Sequence, residues 1–121
     1  ENLPKNLVDA LVRVSSNVQK QLKSILDAYL ERSSLMSINV WEGDEQIDDL
    51  TNLCMQEVIN YLKEDEKNLS DGTHLLFVTK NIERIGDHTT NIAEQVYYLV
   101  TGEYLEGDRP KGTEPIVTGE K

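Results

Sequence analysis

Apolar residues recur in steps of three and four along three long stretches, and that period predicts three amphipathic helices. From about residue 4 to residue 32 the stripe is Leu7, Leu11, Val14, Val18, Ile25 and Ala28, widened by Leu22, Leu26 and Tyr29. Pro4 suits a first-turn position and Asn2 the cap before it. Ser33 or Ser34 then caps a second helix at a tight turn. That helix runs over 34–64 with Val40, Ile47, Cys54, Val58, Tyr61 and Leu62 on its stripe, and Gly43 is its weak point. After a polar stretch, Ser70 or Asp71 caps a third helix over 70–101. Its stripe reads Leu75, Val78, Ile82, Ile85, Thr89, Ile92, Val96 and Val100, and Gly102 follows at a C′ position.

Matched helices joined by short connections imply an all-α, antiparallel up-down-up three-helix bundle over residues 1–102. Val14, Val18, Ile47, Val58, Ile82, Ile85 and Val96 are its expected core. Apolar and polar residues never alternate over a useful length, so no strand is expected. From Glu103 to Lys121 the chain carries glycines and prolines among charges and reads as a flexible tail.

Composition narrows the partners. The formal net charge is −10, which disfavours binding to nucleic acid and adsorption to anionic lipid. Such acidity suits cations or a basic protein surface. The single cysteine, Cys54, excludes an intrachain disulfide and is compatible with a reducing compartment. No apolar run is long enough to span a membrane. A chain that starts at Glu1 instead of Met reads as a fragment of a longer one. A missing N-terminus would hide any signal peptide.

The chemistry concentrates in residues 83–94. On a helix Glu83, Asp87 and Glu94 share one face, with Thr90 and Asn91 between them. Like charges one turn apart cost a helix roughly 0.2–0.5 kcal/mol per pair. A divalent or ferric cation would turn that repulsion into coordination. On a wheel this acidic line lies opposite the third stripe, so it is expected to face away from the core. Asp44 and Asp48 are also one turn apart, on the shoulder of the second stripe beside Thr51. Gly86, in mid-helix, costs about 1 kcal/mol relative to Ala unless a neighbouring helix approaches closely.

Lys80 and Arg84 offer counter-charge to the acidic line, and Lys23 or Arg32 to Asp44 and Asp48, so both sets also read as solvated helix faces. His88 lies between the apolar and acidic faces, and His74 reads as a surface residue. Cys54 reads as a small buried hydrophobe. Trp41 and the Tyr97–Tyr98 pair read as packing residues, with Trp41 a partner anchor if exposed. Inward Glu-x-x-His motifs of the ferritin type are missing, and nothing indicates a cleft that would raise a carboxylate pKa. No catalytic residue is assigned.

The stretch K-N-I-E-R-I-G-D-H-T-T-N-I-A-E-Q-V-Y-Y-L-V-T-G closely resembles the signature helix of the PhoU family of phosphate-signalling proteins. V-W-E-G-D-E-Q-I-D-D-L resembles the family's other acidic motif, and L-D-A-Y-L-E-R before the first turn also fits. The resemblance covers about residues 5–102. Ser33 and Ser34 stand where the family often has an acid. Family members generally hold two such bundles in tandem, and this chain looks like the C-terminal one.

The resemblance implies metal binding, as iron or zinc clusters, at Glu83, Asp87, Asp44 and Asp48, extended by Asn91 and Glu94. It also implies a non-enzymatic, cytoplasmic adaptor that joins a phosphate ABC transporter's ATPase to a sensor histidine kinase. Such an adaptor restrains the phosphate-starvation response, and a homodimer is compatible with it. The alternatives are a cytoplasmic appendage of a sodium–phosphate cotransporter and a plain metal-binding bundle.

Overall fold

The computed structural model describes residues 3–105. Helix α1 spans Lys5–Glu31, α2 Ser34–Glu42, α3 Asp44–Glu64 and α4 Leu69–Thr101, with a single 3-10 turn at Glu66–Asn68 before α4. Leu7, near the start of α1, packs with Val58 and Tyr61 at the end of α3 and with Leu75 and Leu76 at the start of α4. At the other end Ile25 and Ala28 pack with Val40 and Trp41 of α2 and with Ala93 and Val96 of α4. Those two clusters fix the topology. α1 and α4 run the same way, and α2 with α3 returns between them, so three rods form an up-down-up bundle.

The second rod is not one helix. It is interrupted at Gly43, where the sequence placed a weak point. The Gly43 amide bonds to both Asn39 and Val40 carbonyls at 3.1 Å, a tightened last turn. Gln21 of α1 donates to the Val40 carbonyl at 2.8 Å, and a Cβ on Gly43 would stand 2.6 Å from Gln21 Nε2. Glycine therefore lets α1 press on the break. At the first turn Ser33 is the cap, accepting the Met36 amide at 3.1 Å. Arg32 just before it adopts a left-handed φ of 54°. Pro4 precedes α1, and Asn2 lies outside the described residues. Neither Ser70 nor Asp71 caps α4. The helix begins at Leu69 because Asp65 caps the 3-10 turn first, through the Lys67 amide at 2.9 Å.

The main departure from the expected core is the phase of α4. Its buried residues are Gly72, Thr79, Gly86, Thr89, Thr90, Ala93 and Val96. Ile85 is 46% exposed, Val78 and Ile92 are also exposed, and Ile82 is only half-buried. Small residues explain the rotation. A Cβ on Gly72 would fall 2.3 Å from Leu62 Cδ2, and one on Gly86 would fall 3.0 Å from Ile47 Cγ2. The helix turns its thinnest edge inward and gains a closer approach to α3. Buried hydroxyls on that edge are satisfied within the helix, Thr79 on the Leu75 carbonyl at 2.8 Å and Thr89 on the Gly86 carbonyl at 2.7 Å. Val14, Val18, Ile47, Val58 and Val96 are buried as expected, and so is Cys54.

Gly102, with φ 78°, ends α4 in the left-handed C′ geometry and donates to the Tyr98 carbonyl at 2.7 Å. The chain then folds back: Tyr104 stacks on Tyr98 at 4.4 Å and Leu105 packs on the Trp41 cluster. The first three residues assigned to the tail are thus docked, and 106–121 lie outside the described residues.

Candidate metal centre

Rotating α4 moves its acids. Glu83, Asp87 and Glu94 do not lie opposite the core, as the helical wheel placed them. They are half-buried along the flank that meets α2 and α3. Asp44 and Asp48 are more deeply placed than a shoulder position suggests, at 0% and 2% exposure. Asp44 opens α3 directly after the Gly43 break, and Asp48 follows one turn later on the same face. Facing them is Asp87.

One carboxylate oxygen from each of Asp44, Asp48 and Asp87 falls within 4.8 Å of the other two. The two acidic motifs, 39 positions apart in sequence between Asp48 and Asp87, thus close into one cluster. Thr90 Oγ1, one turn beyond Asp87, lies 3.2 Å from Asp44 Oδ1 and 3.2 Å from the Gly86 carbonyl, so its proton is shared between them. Thr51 Oγ1, three residues after Asp48, is buried with no hydrogen-bond partner among the described residues.

Two of the other expected ligands, Glu83 and Glu94, carry hydrogen bonds of their own. Glu83 accepts from Lys80 at 2.8 Å. Glu94 accepts from Trp41 Nε1 at 3.0 Å, a bond that ties α2 to α4. Trp41 is buried in the upper cluster, so it is a packing residue and not an exposed anchor. Asn91 and His88 are exposed, and His88 is not part of the carboxylate cluster. Lys23 pairs with Asp27 on its own helix at 2.8 Å, and Arg32 lies over the Tyr29 ring. Thr90 is the residue that sequence reasoning passed over as a contact. Its position between Asp87 and Glu94 was the available signal.

Three carboxylates held this closely repel one another, most strongly where water is excluded. Protons or a cation relieve that repulsion. Oxygen ligands on opposite sides of a hard cation stand about 4–5 Å apart, given bonds of roughly 2.0–2.5 Å, so the spacing suits one ion. An all-oxygen donor set favours magnesium, calcium, manganese or ferric iron over soft metals. The unsatisfied Thr51 hydroxyl beside Asp48 fits a further polar occupant, such as a coordinated water.

Cys54 stands apart from this chemistry. Burial pushes its thiol above the ordinary range, and a hydrogen bond with Thr79 opposes the shift. A thiol held neutral is a poor nucleophile.

Residues 11–96 match the PhoU domain family. The phosphate-specific transport system accessory protein PhoU homolog of Rhizobium meliloti (strain 1021) is 44% identical over 109 residues, 90% of this chain and 46% of that protein. The homolog of the same name from Caulobacter vibrioides is 44% identical over 105 residues, covering 87% of this chain and 46% of that protein. The one from Clostridium acetobutylicum is 35% identical over 101 residues, 84% of this chain and 46% of that protein. The chain spans about half the length of the curated relatives it matches. No solved structure matches. With most of α1, both halves of the second rod and nearly all of α4 inside the matched region, the chain belongs to the PhoU family.

Proposed function

We propose that this chain is part of an accessory protein of a phosphate-specific transport system, acting by protein contact and not by catalysis. The observation that carries this is the 44% identity, across 90% of the chain, to a relative named for that role. The adaptor reading goes further. The parent protein joins the transporter's ATPase to a sensor histidine kinase and restrains the starvation response while phosphate is plentiful. Absence of any helix among the described residues long and apolar enough to cross a membrane is compatible with that role. Deleting the parent gene should raise a phosphate-starvation reporter in replete medium. Affinity capture of the intact parent should bring down the transporter ATPase and the kinase. A silent reporter together with capture of neither would refute the adaptor reading.

The same reading gives Asp44, Asp48 and Asp87 a hard divalent or ferric ion, with Thr90 orienting Asp44. Convergence of the three carboxylates supports it. Elemental analysis of the purified chain after dialysis should find metal. Asp48→Asn and Asp87→Ala should each abolish it, whereas Asn91→Ala should not. Equal metal content in all three variants would exclude this site.

A further inference from the structure

We infer that Thr51 belongs to the candidate metal centre, where its hydroxyl holds a water that the bound ion retains. The role rests on the metal reading above and adds to it a residue that carries no charge. Two threonines flank the three carboxylates, one on each helix. Thr90 on α4 shares its proton between Asp44 and its own helix. Thr51 on α3 is 1% exposed, and its hydroxyl has no hydrogen-bond partner among the described residues. Every other threonine among the described residues donates back to a carbonyl of its own helix, as Thr79 does to Leu75 and Thr73 to Leu69. Thr51 does not. A buried hydroxyl without a partner lowers stability, and valine would fill the same shape without that loss. The hydroxyl therefore calls for an occupant.

The register of α3 against α4 fixes where that hydroxyl stands. The helices are antiparallel, with Asp44 meeting Thr90 at 3.2 Å and Cys54 meeting Thr79 at 3.5 Å. Between those two contacts Thr51 comes level with Ile82 and Glu83 of α4. On α3 it lies seven residues past Asp44 and three past Asp48, within about 60° of both around the helix. It therefore adjoins Asp48 along its own helix and the Glu83–Asp87 turn across the gap. A carboxylate in reach would accept its proton, as Asp44 accepts from Thr90. None does, so the hydroxyl stands off from them. A hard cation takes about six oxygens, and three carboxylates leave positions that stay with water. The protons of such a water point away from the cation, and Thr51 Oγ1 has lone pairs to accept one. A water spans the gap that a direct hydrogen bond does not. Partners of this kind orient what the ion binds, and they matter to affinity without touching the metal.

Titration of the purified chain with manganese(II) tests this, read by calorimetry, by loss of the free ion's paramagnetic signal and by water-proton relaxation of the bound ion. Thr51→Val should weaken manganese binding about 10–100-fold and change the relaxation. Thr51→Ser, which keeps the oxygen, should bind as wild type does. Thr79→Val removes a buried hydroxyl that is bonded within its own helix, and should leave manganese binding unchanged. Without metal, Thr51→Val should keep its helix content and melt at or above the wild-type temperature, because an unpartnered hydroxyl has gone. Thr51→Val that binds as tightly as wild type, while Asp48→Asn does not bind, would overturn the role of Thr51 and leave the carboxylate centre standing. A loss in Thr51→Ser as deep as in Thr51→Val would trace the effect to packing and refute the role as well. Wild type that takes up no manganese, or takes it up equally after Asp48→Asn, would remove the centre itself and the role with it.

Discussion

Two rows of α4 differ by a single residue in register and have opposite fates. Gly72, Thr79, Gly86 and Ala93 recur every seven residues and are buried, whereas Val78, Ile85, Ile92 and Leu99, one position earlier in the same repeat, recur every seven and are exposed. Ranked by hydrophobicity alone, the second row belongs inside. It stays outside because the first lets two backbones come close, and close packing recovers through many short contacts what the larger side chains would supply by area. The buried row also brings Asp87 and Thr90 round toward Asp44 and Asp48. Core phase and candidate metal centre are therefore one choice.

The comparison is sharpest where the two rows meet the same test. Ile47, buried against Gly86, should lose about 2–5 kcal/mol on truncation to Ala, whereas Ile85→Ala should cost under about 1 kcal/mol. Urea denaturation of both variants measures this, and equal losses would put α4 back in the phase that its apolar stripe suggested. Metal comes next in size. At one hundred times its dissociation constant, a bound ion should raise unfolding free energy by about 2.7 kcal/mol. Asp48→Asn should remove that gain and, without metal, leave the protein as stable as wild type or more so. Metal-dependent stabilisation should fade at acidic pH as the carboxylates protonate. A gain that persists in Asp48→Asn would separate the centre from the buried row.

Gly86→Val should cost about 1–3 kcal/mol, because its methyls would press into Ile47 and Val18. An unchanged melting temperature would show that the close approach does not control the phase. The smallest effect concerns Cys54. Its folded pKa is raised, so the neutral thiol contributes stability that is fully present below the pKa of the unfolded thiol. That contribution is lost as pH rises toward the folded value. Cys54→Ala should flatten this alkaline decline, and alkylation of the native protein should be slow at neutral pH.

Most of the architecture was legible in the residues. The periodic stripes of α1 and α3, the turn at Ser33 and the stop at Gly102 all carry local signals that tertiary packing left in place. Gly86 was legible too, as a position whose cost only a close neighbour could offset. The rotation of α4 was not. Threonine and glycine count for little on a hydropathy wheel, and the advantage of a thin edge exists only once a partner helix is beside it. The site followed the same division. Both acidic pairs could be named from spacing, but whether they converge depends on the angle at which α4 presents itself. Glu83 and Glu94 share a helix face with Asp87, yet Lys80 and Trp41 engage them first.

The glycines that set this phase also restrict how the bundle can move. Leu62 sits in the notch of Gly72 and Ile47 in the notch of Gly86, fourteen residues or about 21 Å along the helix. Two keyed positions on one rod resist creep along its length, since even a seven-residue shift, about 10.5 Å, would bring Cβ-bearing Thr79 and Ala93 to the places of the glycines. The other rod has a joint instead, at Gly43, immediately before Asp44. A signal carried by this bundle is therefore expected as a bend between α2 and α3, not as a piston stroke of α4. Spin labels on α2 and on the lower half of α3 would register such a bend on metal addition, while a pair on α3 and α4 should keep its separation.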